Sequence, residues 1–593
     1  GEPVELPPLA IGIHAGTWRK AFSDYREWVD TWYRPDHPDN LARFFTFTGY
    51  HTPGCAFWAP ETAEEAIAGI PERGDQLHFI AQKVDRYGDY DHYREDWGLD
   101  GLQRFIRTAQ ERGHLVSHYF QGQVAHDTSG VFQDHGDDWG LKQPDGANYE
   151  AWANQCMCYS AEGWREWLAS TTAKAVQDLG LDIVYLDCVG WTTGEKFVCH
   201  NTNHAHPPEY HRLTTVRELF HSVEEAIRRE KPDVALTTEG PVSDLFFNDV
   251  DGNEGYGVSF FQSEAYGPPV HFMRFLYPRF KYLDLQTTSA DKTGQALFNA
   301  TATDADPETL PLARVGHRVF HENVDTLTRG DATPHLPTRE PGVYCNRFAS
   351  AGKTICTVWN DNSYRVAGAS VPVEIPPGWH VVDAMRHREG LIRRVDREAH
   401  LVADLAGRSP GVYAVVPETL RAEIEGMWLC IDWDSVPAGA ELVAVLIDGD
   451  DDATEEIVLD PEVVEVDLVA LTAGGEHRAA LKVLRDGLLV DVMELPELAE
   501  IDIAPGANVT CGSPDYDHGA HPESVVGQEG SWRFAWDDEP RPGWIQLEWP
   551  RPQTFNAVEM SFEREHYSSR DCEIMASDDG ATWEAVARWA SID

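Results

Sequence analysis

At 593 residues, 42% of them apolar, the chain has material for roughly three to five domains, each with its own core. Its formal net charge of -51 runs along the whole length, which argues against nucleic acid and anionic membrane surfaces as partners. No uninterrupted run of about 18 apolar residues is present to span a membrane, and ten cysteines in so long a chain make no disulfide framework.

Residues 1–40 open with VELPPLAIGIHAG and continue into FSDYREWVDTWY, an amphipathic helix with Ser23 or Asp24 near its cap. This stretch is expected to connect to a domain further upstream. The first residue is Gly1, and no charged start, apolar stretch and small-residue cleavage site can be read. From 41 to 338, short β-branched and aromatic runs alternate with amphipathic helical stretches, the pattern of βα units around a parallel sheet. The expected barrel strands are Phe44 to Thr48, Leu77 to Ala81, His114 to Tyr119, Ile183 to Leu186 and Val234 to Thr238, with helices over 101–113, 163–180 and 216–232. Further along, Val258 to Phe261, Phe272 to Leu276 and Ala296 to Ala300 are the candidates for the remaining strands.

Beyond PHLPTREPG the texture changes to short alternating strands, KTICTVWND, ASVPVEIP and GVYAVVP, which predict an antiparallel β-sandwich over 339–417. A further β-rich, immunoglobulin-like segment follows over 418–505. Its acidic turn, Asp448 to Asp452, offers oxygen ligands for a structural calcium ion but lacks the periodicity and glycine of an EF-hand loop, so a solvated turn is the simpler reading. The fold class is therefore multidomain: a (β/α)8 TIM barrel followed by all-β sandwich domains.

The organising stretch is LDIVYLDCVGW, Leu181 to Trp191. Its apolar run reads as a strand buried on both faces, and Asp187 emerges where the strand stops, the position at which a parallel barrel builds its site; a carboxylate capping the next helix is the plainer alternative. In KPDVALTTEG a second carboxylate, Glu239, stands at the end of the next strand. Two carboxylates at the C-terminal ends of consecutive strands can protonate a glycosidic oxygen while the anomeric carbon is attacked from the other side. Asp187 is the expected ionised nucleophile, and Glu239 the expected general acid and then base, with burial and the neighbouring carboxylate favouring its protonated form. A separation of about 5 to 5.5 Å means retention, and one of about 6.5 to 9.5 Å inversion.

Around the pair, Trp58, Tyr119, Trp191 and Tyr266 are candidate platforms for the apolar face of a sugar, though core packing suits each equally. His118, Gln121 and His126 on or after the third strand, and Asp85 after the second, are placed to reach the same cleft. The loop CHNTNHAHPPEYH carries Cys199, His204, His206 and His211. Its imidazoles can bond sugar hydroxyls or simply build the loop. A metal is the rival, but the spacing fits no familiar closed zinc motif.

The run QCMCYSAEGWREWLASTTAKAVQDLGLDIVYLDCVGW resembles the passage before the nucleophile in α-glycosidase barrels. The region 41–338 resembles bacterial barrels related to endo-α-N-acetylgalactosaminidases and α-galactosidases. This resemblance implies an aspartate nucleophile after the fourth strand and a glutamate acid/base after the fifth, matching Asp187 and Glu239. The α-galactosidase branch instead places an aspartate further along, so Asp249 or Asp251 in NDVDGNEG competes, Asp251 at least as a substrate contact. Related barrels carry a similar Cys and His-x-His-Pro loop, which implies a substrate-facing role for His204 and His206. The implied substrate is an α-linked galactose or N-acetylgalactosamine unit in an oligo- or polysaccharide or a glycoprotein glycan, cleaved without a required cofactor. A noncatalytic carbohydrate-binding protein and a metal-dependent hydrolase or lyase using the Cys/His loop are the rivals. Residues 506–593, with GWIQLEWPRPQTFNAVEMSFE and the turn SDDGATWE, resemble a discoidin-like, galactose-binding module cut short at Asp593. An appended module of that kind favours an extracellular or cell-surface setting.

Overall fold

The structure, a computed structural model, describes residues 11–50, 62–71, 75–79, 87–90, 97–189, 198–210, 213–240, 244–255, 269–284, 289–329, 331–395, 398–448, 453–473, 475, 477–498, 501, 503–512, 526, 544–555, 558 and 571–590. They fall into two compact units, 1–385 with 390–417, and 386–389 with 418–593.

In the first unit eight parallel strands follow one another around a sheet: β1 Phe47–Tyr50, β2 Gln76–Phe79, β3 Leu115–Gln121, β4 Ile183–Asp187, β5 Ala235–Glu239, β6 Gly252–Gly255, β7 Lys281–Asp284 and β8 Ala302–Thr303. The sheet closes on itself. Thr46 bridges Thr303 in parallel, and the Thr303 N–H donates to the Phe45 carbonyl at 2.8 Å. Backbone pairing thus closes the (β/α)8 barrel.

Strand alternation separates two apolar clusters. Phe47, Ile183, Ala235, Leu283 and Ala302 turn inward and, with Leu41 and Phe44, plug the N-terminal end. Val116, Phe120, Val184, Leu186 and Leu236 turn outward against the helices. There, helix Gly98–Glu111 presents Leu102, Phe105, Ile106 and Ala109, spaced to share one face. Helix Glu162–Leu179 presents Trp164, Leu168, Ala175 and Val176, and ends where Gly180 takes a left-handed φ of 71°.

Three even-numbered strands begin just after an aspartate. Asp75, Asp182 and Asp251 each accept a main-chain N–H from the preceding strand or its approach: Thr46 at 3.0 Å, Val116 at 2.8 Å and Leu236 at 2.7 Å. Each also meets basic side chains: His317 and His321 on Asp75, Lys231 on Asp182, and Arg228 and His37 on Asp251. Burial acts to raise the Asp75 pKa, but the hydrogen bonds and charges of the two histidines hold it well below the usual carboxylate range.

Three sequence expectations change. Phe272–Leu276 is a helical turn capped by His271, and Ala296 to Ala300 falls at the end of helix Ala290–Asn299. A short apolar run carries no period by which to tell strand from helix. The sixth to eighth strands are instead short and poor in large apolar residues. The first helix runs over Trp18–Trp32 from Thr17, so Ser23 and Asp24 lie inside it; starting there brings Trp18 and Phe22 onto Phe272 at 5.3 and 5.9 Å. Val258 to Phe261 lies outside the described residues.

Helix Ala290–Asn299 carries an antiparallel sheet. The side chains of Asn346 and Thr357 donate to the Phe298 carbonyl at 3.1 and 2.6 Å. Strands Val343–Ala349, Thr354–Asn360 and Ser409–Pro417 pair in sequence, and Val366–Pro372, Glu398–Leu405 and Ile392–Val395 form a second sheet over a core that includes Val358, Val371 and Leu401.

In the second unit Ala453–Val458, Ala440–Ile447, Arg478–Arg485 and Leu488–Glu494 form a four-stranded antiparallel sheet over Leu429, Leu442, Leu481 and Val483. Of the acidic turn, 449–452 lie outside the described residues. Hairpin Asp571–Ala576/Glu584–Ala590 is closed by the SDDG turn, where Asp579 accepts the N–H groups of Ala581 and Thr582 at 2.8 and 2.7 Å, which draw its pKa down to about 2. Among the described residues no helix is long and apolar enough to cross a membrane.

Candidate active site

Asp187 ends β4 and Glu239 ends β5, with the strands in register at Leu186 and Thr238. Both carboxylates therefore leave the C-terminal end of the barrel side by side. Together with the Cys188 sulfur, one oxygen from each lies within 4.8 Å of the others.

Neutral donors surround Asp187. The Tyr119 hydroxyl donates to Oδ2 at 2.5 Å and Gln121 Nε2 to the same oxygen at 2.9 Å, while the Tyr185 hydroxyl donates to Oδ1 at 3.1 Å. Burial first, and then the Asp187 charge, hold both tyrosines well above their ordinary pKa, so they remain donors. The Cys188 thiol adds a contact to Oδ2 at 3.3 Å from a residue held at a φ of 65°. A non-glycine residue in the left-handed region is strained, and here the strain falls beside the Asp187 carboxylate. Gly122 makes the approach of β3 to the β4 end feasible, since a Cβ there would sit 2.3 Å from Val189.

Below the pair is a polar layer. Glu254 pairs with Glu239 in the register of β6 on β5, and accepts from Gln76 Nε2 at 2.9 Å and Thr237 Oγ1 at 3.3 Å. Burial pushes its pKa up to about 8; the nearby Asp187 and Glu239 charges add to this, and the two hydrogen bonds oppose it. Burial thus favours its neutral, protonated form. His78 bonds Ser117 at 2.8 Å in the same interior.

Tyr119, expected as a sugar platform, and Gln121, expected to reach the cleft, both donate to Asp187. Sequence reasoning passed over Tyr185, Cys188 and Glu254. Counting back by two from Asp187 gives Tyr185, a signal that was present but read only as apolar strand content.

Two expected contacts are corrected. His118 is fully buried on the outward face of β3, its ring 4.9 Å from Phe79 and 4.5 Å from Phe120, with its pKa pushed down to about 3 by burial. The alternation that aims Tyr119 inward aims His118 at the helices. Asp251 begins β6 at the opposite end of the barrel, bound to His37, Arg228 and the Leu236 amide, so it is no substrate contact. Asp249, the other competitor for the acid/base, pairs with Arg217 at 2.7 Å. His126 closes its own loop on Thr128 at 2.7 Å. Trp58, Asp85, Trp191, His211 and Tyr266 lie outside the described residues.

His204 and His206 do come together, but with sulfur: Cys158, Cys199, His204 and His206 each place one ligand atom within 4.8 Å of the others. Cys158 precedes helix Glu162–Leu179. The other three belong to a hairpin whose short strands are Val198–Cys199 and Glu209–Tyr210.

The fold and site define a parallel eight-stranded barrel with a clasped carboxylate pair at its C-terminal end. A family model described as a domain of unknown function (DUF6259) matches residues 8–260. No curated protein matches the chain. Solved structures similar to it include an α-amylase of Geobacillus thermoleovorans complexed with acarbose, at 12% identity and TM-score 0.46 over 64% of this chain and 99% of that one. A maltogenic α-amylase of Thermotoga neapolitana is similar at 12% and 0.48, over 64% and 99%. An α-galactosidase of Geobacillus stearothermophilus in complex with 1-deoxygalactonojirimycin is similar at 12% and 0.47, over 67% of this chain and 59% of that one.

Proposed function

We propose that the chain is a retaining glycoside hydrolase in which Asp187 attacks the anomeric carbon and Glu239 protonates the departing oxygen, then deprotonates the water that releases the sugar. One observation carries this reading: the two carboxylates end consecutive strands with oxygens within 4.8 Å of each other. That approach suits the closer geometry of retaining enzymes, about 5 to 5.5 Å, rather than the wider gap that admits a water between carboxylates. Tyr119, Tyr185 and Gln121 fix the Asp187 carboxylate so that one face can meet the sugar.

The sugar is proposed from the resemblance around Asp187 as an α-linked galactose or N-acetylgalactosamine unit of an oligo- or polysaccharide or a glycoprotein glycan. This chemistry needs no cofactor. The test is a panel of aryl α- and β-glycosides and natural glycans with wild type, Asp187→Ala and Glu239→Gln, with product stereochemistry followed by NMR. Cleavage with retention that collapses in both variants is the expected result. Full activity in Glu239→Gln would remove the acid/base assignment, and inversion would remove the nucleophile.

A further inference from the structure

We propose that Cys158, Cys199, His204 and His206 form a closed structural zinc site that clamps the loop after β4 onto the loop after β3. The site shares no residue with the carboxylate pair and does not depend on the reaction assigned to it.

The geometry of the four ligand atoms supports this. Cys158 Sγ lies 3.4 Å from His206 Nε2, Cys199 Sγ 3.4 Å from His204 Nδ1, and His204 Nδ1 2.9 Å from His206 Nε2. Zinc bond lengths of about 2.3 Å to sulfur and about 2.0 Å to nitrogen, set tetrahedrally, give edges of roughly 3.6 Å between S and N and roughly 3.3 Å between N and N. These three edges need to open by only a few tenths of an ångström to hold the ion, and the remaining three lie within 4.8 Å.

The surroundings orient the ligands. His206 Nδ1 lies 2.7 Å from the Pro207 carbonyl and donates to it, which leaves the Nε2 lone pair facing the cluster. A second-sphere carbonyl of this kind is the usual companion of a metal-bound imidazole. Main-chain amides of Ser160 and Ala161 face the Cys158 sulfur, and those of Asn201 and Lys142 face Cys199. Such N–H groups suit metal-bound thiolates, whose charge they spread.

Two thiolates and two imidazoles in a tetrahedral set select zinc over hard cations that prefer oxygen. Four protein ligands leave no position for a water, so the ion would be structural, and the metal-hydrolase alternative for this loop loses its open coordination site. Binding would tie the 198–210 hairpin to the segment before helix Glu162–Leu179. The hairpin already leans that way: His200 N–H donates to the Lys142 carbonyl at 2.9 Å, and Asn201 Nδ2 to those of Asp137 and Gly140, each at 2.9 Å.

The experiment is elemental analysis of the full chain, purified without chelator and without a histidine tag, beside Cys158→Ser, His206→Ala and His206→Cys. About one zinc per chain is expected in wild type and in His206→Cys, which keeps four ligands, and little in the other two. Cobalt added to chelator-stripped protein should give the intense visible bands of a tetrahedral thiolate centre. Zinc should restore an unfolding midpoint that chelation lowers by roughly 5 °C. Wild type that holds no zinc and develops no cobalt–thiolate bands would overturn the proposal. So would a Cys158–Cys199 disulfide found in unreduced peptides, or zinc retained undiminished by both Cys158→Ser and His206→Ala.

Discussion

The two ends of the barrel use carboxylates in opposite ways. At the N-terminal end Asp75, Asp182 and Asp251 meet basic side chains and main-chain amides, and hold strand starts in register. At the C-terminal end the described partners of Asp187 are neutral hydroxyls, a thiol and an amide, and an oxygen of Glu239 lies within 4.8 Å of it. A carboxylate oriented by neutral donors keeps its charge for a developing positive centre. Burial alone would not distinguish the ends: Asp251 is more buried than Asp187.

The largest effect should come from Asp187→Asn. Glycosidase activity is expected to fall at least about 10³-fold, roughly 4 kcal/mol in barrier height, while the unfolding free energy read from denaturant curves moves by no more than about 1 kcal/mol. Asp251→Asn should do the reverse. Leaving Arg228 and His37 without their carboxylate is expected to cost about 3 kcal/mol in chemical denaturation, with activity per folded molecule kept. If Asp251→Asn abolished turnover in protein that remained folded, the division between the ends would fail.

A pH comparison sharpens it. Glu254 has a folded pKa raised to about 8, so its stabilising contribution is full below the unfolded carboxylate value of about 4.3 and is lost as pH rises through about 8. Stability of Glu254→Gln relative to wild type should therefore rise between pH 5 and 8, by on the order of 3 kcal/mol, read from denaturant curves at each pH. A flat difference would mean that Glu254 ionises normally. Smallest is Tyr119→Phe, which removes one donor from Asp187 and should lower kcat about tenfold, near 1.4 kcal/mol, with the fold intact by circular dichroism.

Most of the barrel was legible because its first five strands are apolar runs between clearly amphipathic helices, and the carboxylate pair was legible because each member directly follows such a run. The later strands were not. GNEG, KYLD and AT are too short and too polar to announce themselves, and become strands by pairing with neighbours already in place. His118 shows the same limit at one residue: its type suggested chemistry, while the strand's alternation consigned it to the helix layer.

The sequence by itself determined the order of βα units and the strand-terminal positions of Asp187 and Glu239, because periodicity and chain order are local properties. Only the tertiary structure decided that Asp182 and Asp251 meet basic side chains, that Glu254 stands in register with Glu239, and that Cys158 meets Cys199, His204 and His206. Those facts depend on side chains distant in sequence sharing one small volume, and closing a ring of strands is what brings them there.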